Sequence, residues 1–193
     1  FFTVAGDAPG LSRRLLQSTD ATRKLARLEF QGVTATLLGE EGAAAAPLAK
    51  TLDQAVVCLA NEMVGGAEAL REQALDYAQM RMQLGRAIAS FQTMKHKSAD
   101  MLIEVELAKS AAYYAAAAAD ENEAELPSVA SLAKAGAAEA YMQTAIHAIQ
   151  THGGIGFTWD NDTHLWFKRA KSSQVFLGDA HYHREQMMRR WQG

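Results

Sequence analysis

The sequence predicts a mainly α-helical fold, an antiparallel four-helix bundle preceded by a short β segment. Three observations carry that prediction. Only 3 of the 193 residues are proline, so little interrupts long helices. From about Thr51 onward, apolar residues recur at spacings of three and four, the repeat of one helix face. Residues 1–48 instead hold short alternating or β-branched runs broken by turn residues.

The elements follow in chain order. Phe1-Phe2-Thr3-Val4 and Ala26-Arg27-Leu28-Glu29-Phe30 read as strands, separated by turns at Pro9-Gly10 and Gly32. This piece is too small and polar to close a sheet alone, so it is expected to be the end of a larger β domain. Leu52, Val56, Leu59, Met63, Gly66, Leu70 and Tyr77 form a stripe, broken only at Gln73. Its ~30 residues correspond to about 45 Å of helix. A second stripe runs through Ile88, Phe91, Met94, Met101, Leu102, Val105 and Ala108, with Lys97, Asp100 and Glu104 turned outward. Asp120 to Glu125 reads as an acidic loop, and Pro127 suits the first turn of a third helix. That helix is expected to stop at Gly153-Gly154. His164 to Trp191 reads as one or two further helices, broken near Gly178. Helices of this length on short loops make an antiparallel bundle the default, with residues 49–193 as its domain.

Composition excludes several classes. The chain is 49% apolar, enough to offset the entropy of ordering and so to exclude intrinsic disorder. Its 22 acidic residues outnumber 19 basic ones, which leaves no overall basic footprint for nucleic acid. The alanine-rich run from Ser110 to Ala119 is about half a membrane span. The first ten residues have no basic region and do not read as a signal peptide. A single cysteine, Cys58, rules out an intrachain disulfide and suits a reducing compartment. The expectation is a cytoplasmic protein.

Six histidines invite a metal reading, but their spacing opposes it. His147 and His152 are five apart and His181 and His183 two apart, which places each pair on different helix faces. No His-Glu-x-x-His motif occurs, and no metal is expected. Gly153-Gly154-Ile155-Gly156 resembles a phosphate loop only superficially. Trp159 stands where a third glycine belongs, and a helix rather than a strand precedes it, so a Rossmann reading fails.

A wider pattern carries more. Tyr77-Ala78-Gln79-Met80-Arg81-Met82-Gln83-Leu84-Gly85-Arg86-Ala87-Ile88 with Ser90-Phe91-Gln92 resembles the YAxxRxQFGxPIxxFQ segment of the acyl-CoA dehydrogenase family. His96 to Met101, Gln150 to Thr158 and Thr163 to Lys171 continue the resemblance in order. Asp20 to Lys24 and Ala26 to Val33 are similar to the last strands of that family's middle β domain. The resemblance implies a C-terminal helical bundle (49–193) behind the tail of the middle domain (1–48). It implies FAD as cofactor, an acyl-CoA substrate, an electron-transfer flavoprotein or similar acceptor, and a homo- or hetero-oligomer.

Residue by residue, the resemblance assigns cofactor roles. Arg81 matches an arginine that reaches the FAD pyrophosphate of a neighbouring subunit, a role suited to a bidentate guanidinium. Gln92 matches a glutamine on the same cofactor. Gln150, Gly153 and Gly154 match the stretch against its adenosine end, where absent side chains would allow close backbone approach. Taken without the resemblance, these same residues are a solvated charge, a polar face residue and a helix stop.

The catalytic base departs from the family pattern. Family members abstract an α-proton from the thioester with a glutamate while FAD accepts the β-hydride. The resemblance places that glutamate at Leu177 or, in other members, at Ala55, and neither residue can accept a proton. Glu62 lies seven residues after Ala55 on the same helical face. It borders Leu59, Met63 and Gly66, where burial would raise its basicity. Glu62 is therefore the candidate base, with Asp179 the runner-up. The reading that results is an FAD-dependent acyl-CoA dehydrogenase forming a trans-2-enoyl-CoA. The alternative is a non-catalytic partner subunit of a heteromeric dehydrogenase.

Overall fold

Strand-forming runs and glycine turns shape the first residues of the computed structural model, which describes residues 1–122 and 124–191. Four short strands form: β1 (Phe2–Thr3), β2 (Leu11–Leu15), β3 (Ala26–Phe30) and β4 (Thr36–Leu37). β1 pairs antiparallel with β4, Phe2 opposite Leu37, and β2 pairs antiparallel with β3, Leu11 opposite Phe30. Gly10 enters β2 with φ +86°, and a Cβ there would stand 2.1 Å from the Gln31 carbonyl oxygen. Phe2, Leu15, Leu28 and Phe30 remain exposed, so these two sheets enclose no apolar core of their own. Phe1–Leu52 form one compact unit and Asp53–Gly193 another.

The helical unit is built on α1 (Ala45–Met80), which begins before the expected Thr51. Val56, Leu59, Met63 and Leu70 are buried as the stripe predicts, joined by Ala60, Ala67 and Ala74. Leu52, at the head of the stripe, is exposed instead. A two-residue hairpin follows, β5 (Met82–Gln83) against β6 (Arg86–Ala87). Leu84 and Gly85 at its tip both have positive φ, the geometry of a primed turn. A single 3₁₀ turn over Ile88–Ser90 intervenes before α2 (Gln92–Glu121). Met101, Val105 and Ala108 of the second stripe are buried, while Leu102 faces out. The expected acidic loop from Asp120 to Glu125 begins inside α2, and its residue 123 lies outside the described residues.

α3 (Leu126–His152) carries Pro127 in its first turn and is buried on nearly every side. Its alanines allow neighbouring helices to approach closely, and its largest fully buried side chain, Tyr141, covers Gly66 of α1. The helix stops at Gly153, whose φ of +66° ends the repeat, with its N–H donated to the Ile149 carbonyl. A 3₁₀ segment over Gly153–Phe157 leads to α4 (Thr163–Val175), a corner at Phe176–Asp179, and α5 (Ala180–Trp191). The final stretch is thus two helices, both packed on α3, which separate at the expected Gly178. No helix is long and apolar enough to cross a membrane among the described residues.

Candidate functional site

Helix direction decides which of the expected site residues meet. α1 and α3 run one way and α2 the other, so the end of α1, the start of α2 and the end of α3 share one end of the bundle. Two contacts fix this. The Tyr77 ring stacks on the His152 imidazole with centroids 4.3 Å apart. Lys97 Nζ donates to Gln150 Oε1 at 2.6 Å, joining residues 53 apart in sequence. Arg81, Gln92, Gln150, Gly153 and Gly154 all lie at this end.

The local sequence sets each of them. Arg81 follows the last turn of α1, its N–H donated to the Tyr77 carbonyl and its own carbonyl accepting the Ile88 N–H, both at 2.8 Å. The backbone is thereby pinned while the guanidinium side of the residue is exposed. Arg86, across the hairpin, lies 4.0 Å over the Phe91 ring. Gln92 opens α2 and its side-chain amide meets His96 Nε2 at 3.1 Å. A Cβ built on Gly153 or Gly154 meets nothing within 4 Å, so the backbone there is open to approach. Gly156 differs: its Cβ would stand 3.1 Å from His152 Cβ and 3.3 Å from the Ile149 carbonyl oxygen. That glycine serves internal packing. Exposed apolar side chains surround the polar set, with Leu84, Phe157 and Trp159 each more than two-thirds exposed.

This donor set fits a phosphate-bearing cofactor. A guanidinium, two amides and an open glycine backbone supply donors and close access without a carboxylate among them.

Glu62 lies elsewhere, 19 residues back along α1 from Arg81, or roughly 28 Å of helix axis. The burial expected for it is absent: its side chain is 44% exposed. Its Oε1 accepts from Arg169 Nε at 3.0 Å and from Nη2 at 2.9 Å, an ion pair between α1 and α4. Cys58, Glu62 and Gly65 form an exposed row with half-buried Ala55, whereas Leu59 and Met63 turn inward. The flank of a stripe can face either way, and sequence spacing alone does not say which.

Asp179 is likewise engaged, its Oδ1 accepting the Tyr182 N–H at 2.8 Å at the start of α5. Leu177, at φ +58°, packs against the bundle core. Sequence spacing also missed Lys134. Fully buried in α3, it donates to the carbonyls of Gln174 and Gly178 at 3.2 and 2.9 Å. Among the described residues no three His, Cys, Asp or Glu side chains gather as a metal site.

A sequence profile of the acyl-CoA dehydrogenase C-terminal domain matches residues 45–192. The chain belongs to the acyl-CoA dehydrogenase family. It is similar to acyl-CoA dehydrogenase IpdE2 of Mycobacterium tuberculosis, 38% identical over 86% of this chain and 48% of that protein. Among solved structures, the Tcur3481-Tcur3483 steroid ACAD G363A variant superposes with a TM-score of 0.89. It is 30% identical and covers 99% of this chain and 51% of its own. An FAD-dependent dehydrogenase superposes with a TM-score of 0.91 at 27% identity, over 98% of this chain and 52% of its own. The chain therefore spans about half the length of the relatives it matches. The helical fold is that of the acyl-CoA dehydrogenase C-terminal domain.

Proposed function

We propose that this chain is the C-terminal part of an FAD-dependent acyl-CoA dehydrogenase that converts an acyl-CoA thioester to the trans-2-enoyl-CoA. The observation that carries this is the convergence of Arg81, Gln92, Gln150, Gly153 and Gly154 at one end of the bundle. Residues 1–48 are then the end of the middle β domain. Arg81 and the open Gly153-Gly154 backbone hold the pyrophosphate and adenosine portions, and the two glutamines orient them. FAD, when bound, supplies the two-electron acceptor. Glu62 is the carboxylate assigned to take the α-proton, and Arg169 holds it in place until substrate arrives. An electron-transfer flavoprotein or a similar acceptor reoxidises the enzyme.

The second reading is a partner subunit in a heteromeric dehydrogenase that holds flavin but contributes no base. It is favoured by the absence of a carboxylate at Ala55 and Leu177 and by the engagement of Glu62 with Arg169. The experiment that separates the two is a visible-absorbance titration of the full-length protein with a panel of acyl-CoA thioesters. Bleaching of bound flavin by any of them supports the first reading. Retained flavin that no thioester bleaches supports the second, and failure to hold flavin at all overturns both. Glu62→Gln keeps shape while removing basicity, so bleaching is expected to slow about 10²-fold or more. A rate within a few-fold of wild type would make Glu62 structural. Recovery of bleaching on adding Ala55→Glu would place both positions at one substrate carbon.

A further inference from the structure

A buried polar cluster outside the proposed flavin end joins α5 to the rest of the bundle. His183 of α5 is 4% exposed, and its Nε2–H donates to the Leu177 carbonyl at 2.9 Å. Its Nδ1 lies 3.5 Å from Ser131 Oγ of α3. Ser131 Oγ also lies 3.5 Å from Arg190 Nη1, which donates to Asp53 Oδ1 at 2.8 Å and to the Pro127 carbonyl at 2.9 Å. Lys134, one turn along α3, donates to the Gln174 carbonyl ahead of the corner and to the Gly178 carbonyl within it. Three side chains thus grip the corner and α5 from inside, and only His183 can change charge near neutral pH.

The geometry points to a proton-operated latch: protonation of His183 releases the Phe176–Asp179 corner and loosens α5 from α3. With Nε2–H committed to Leu177, the neutral imidazole leaves Nδ1 free to accept the Ser131 hydroxyl proton. A proton arriving at Nδ1 reverses that contact, so that Nδ1–H faces a Ser131 hydroxyl oxygen already facing the Arg190 cation. The new cation also sits in a buried space already holding Lys134 from α3 and Arg190 from α5. Of the nearby acids, Asp53 of α1 binds Arg190, and Asp179 caps α5 while attracting the imidazole's proton. The remaining neighbour on α5, Tyr182, meets the imidazole edge-on at 5.2 Å. Burial, with the positive charges of Lys134 and Arg190, pushes the imidazole below the ordinary histidine range against the pull of the Leu177 carbonyl and Asp179.

The unfolded or released imidazole takes its proton near pH 6.5, and the docked one takes it only at lower pH. Docking is therefore fully stabilised above about pH 6.5 and weakens as pH falls through the window between the two values.

Hydrogen–deuterium exchange of the purified protein at pD 7.5 and 5.5, corrected for intrinsic rates, tests the latch. Amides of residues 176–184 are expected to open more often at the lower value, by up to about tenfold, the ceiling set by one proton taken up per opening over a decade of acidity. His183→Gln retains a donor toward Leu177 without a titratable proton, so its opening is expected to be equal at both values. Unchanged wild-type protection, or a glutamine variant that keeps the response, overturns the proposal. If that variant does not fold, the wild-type pattern decides. Opening confined to the corner and α5 supports the latch, and equal opening across residues 101–118 of α2 overturns it.

Discussion

The Glu62–Arg169 pair is half-exposed, and such pairs contribute at most about 1 kcal/mol. Glu62→Gln is therefore expected to shift the unfolding free energy by less than about 1 kcal/mol in a urea titration. A 10²-fold loss of flavin bleaching in the same variant would then report chemistry rather than fold. Arg81→Ala touches no core contact. It is expected to weaken flavin retention of the full-length protein by roughly 1.5–3 kcal/mol, the contribution of one charged hydrogen bond, as read by flavin fluorescence after dialysis. Equal retention would remove Arg81 from the site. That Arg81 and Gln92 share one stretch resembling the family's motif was readable in the sequence, because that motif is local. The exposure of Glu62 was not, because which way a residue beside an apolar stripe faces depends on the helix packed next to it.

At the level of elements, α1 and α3 approach closely at one glycine. A Cβ on Gly66 would stand 2.7 Å from Tyr141 Cζ and 2.8 Å from its hydroxyl, while a Cβ on neighbouring Gly65 meets nothing. Overpacking costs about 1–3 kcal/mol, and replacing a helical glycine by alanine returns about 1 kcal/mol. Gly65→Ala is therefore expected to raise the urea midpoint and Gly66→Ala to lower it, adjacent helix positions with opposite signs. Gly66 appeared in the sequence only as one position of an apolar stripe. Its requirement comes from Tyr141, 75 residues away in sequence. The long helices themselves were legible, since periodicity, Pro127 and Gly153 are local signals. Their ends moved by several residues, as at Ile88–Ser90, where a 3₁₀ turn replaces the expected first turn of α2.

Across the whole molecule, an open groove of about 790 Å³ lies between α2, α3 and α5, lined by Leu107, Leu132, Met187 and Met188. Burial in its wall holds the Glu104 carboxyl above the usual carboxylate range. An apolar groove of this size on a bundle fits the self-association implied by the family resemblance. Sedimentation at micromolar concentration is expected to show a dimer or larger species, and a clean monomer would count against association through the bundle. What the sequence alone determined is the helical class, the β segment ahead of it, the helix stops and the membership of Arg81, Gln92, Gln150, Gly153 and Gly154 in one motif set. The first three rest on spacing within a few turns of chain, and the last on the resemblance to the acyl-CoA dehydrogenase family. The tertiary structure alone decided that those five residues share one end of the bundle, that Glu62 pairs with Arg169, and that Lys134 and His183 are buried against the α4–α5 corner. Each of these depends on helices distant in sequence coming side by side, and a side chain's surroundings are set by that packing rather than by its place in a repeat.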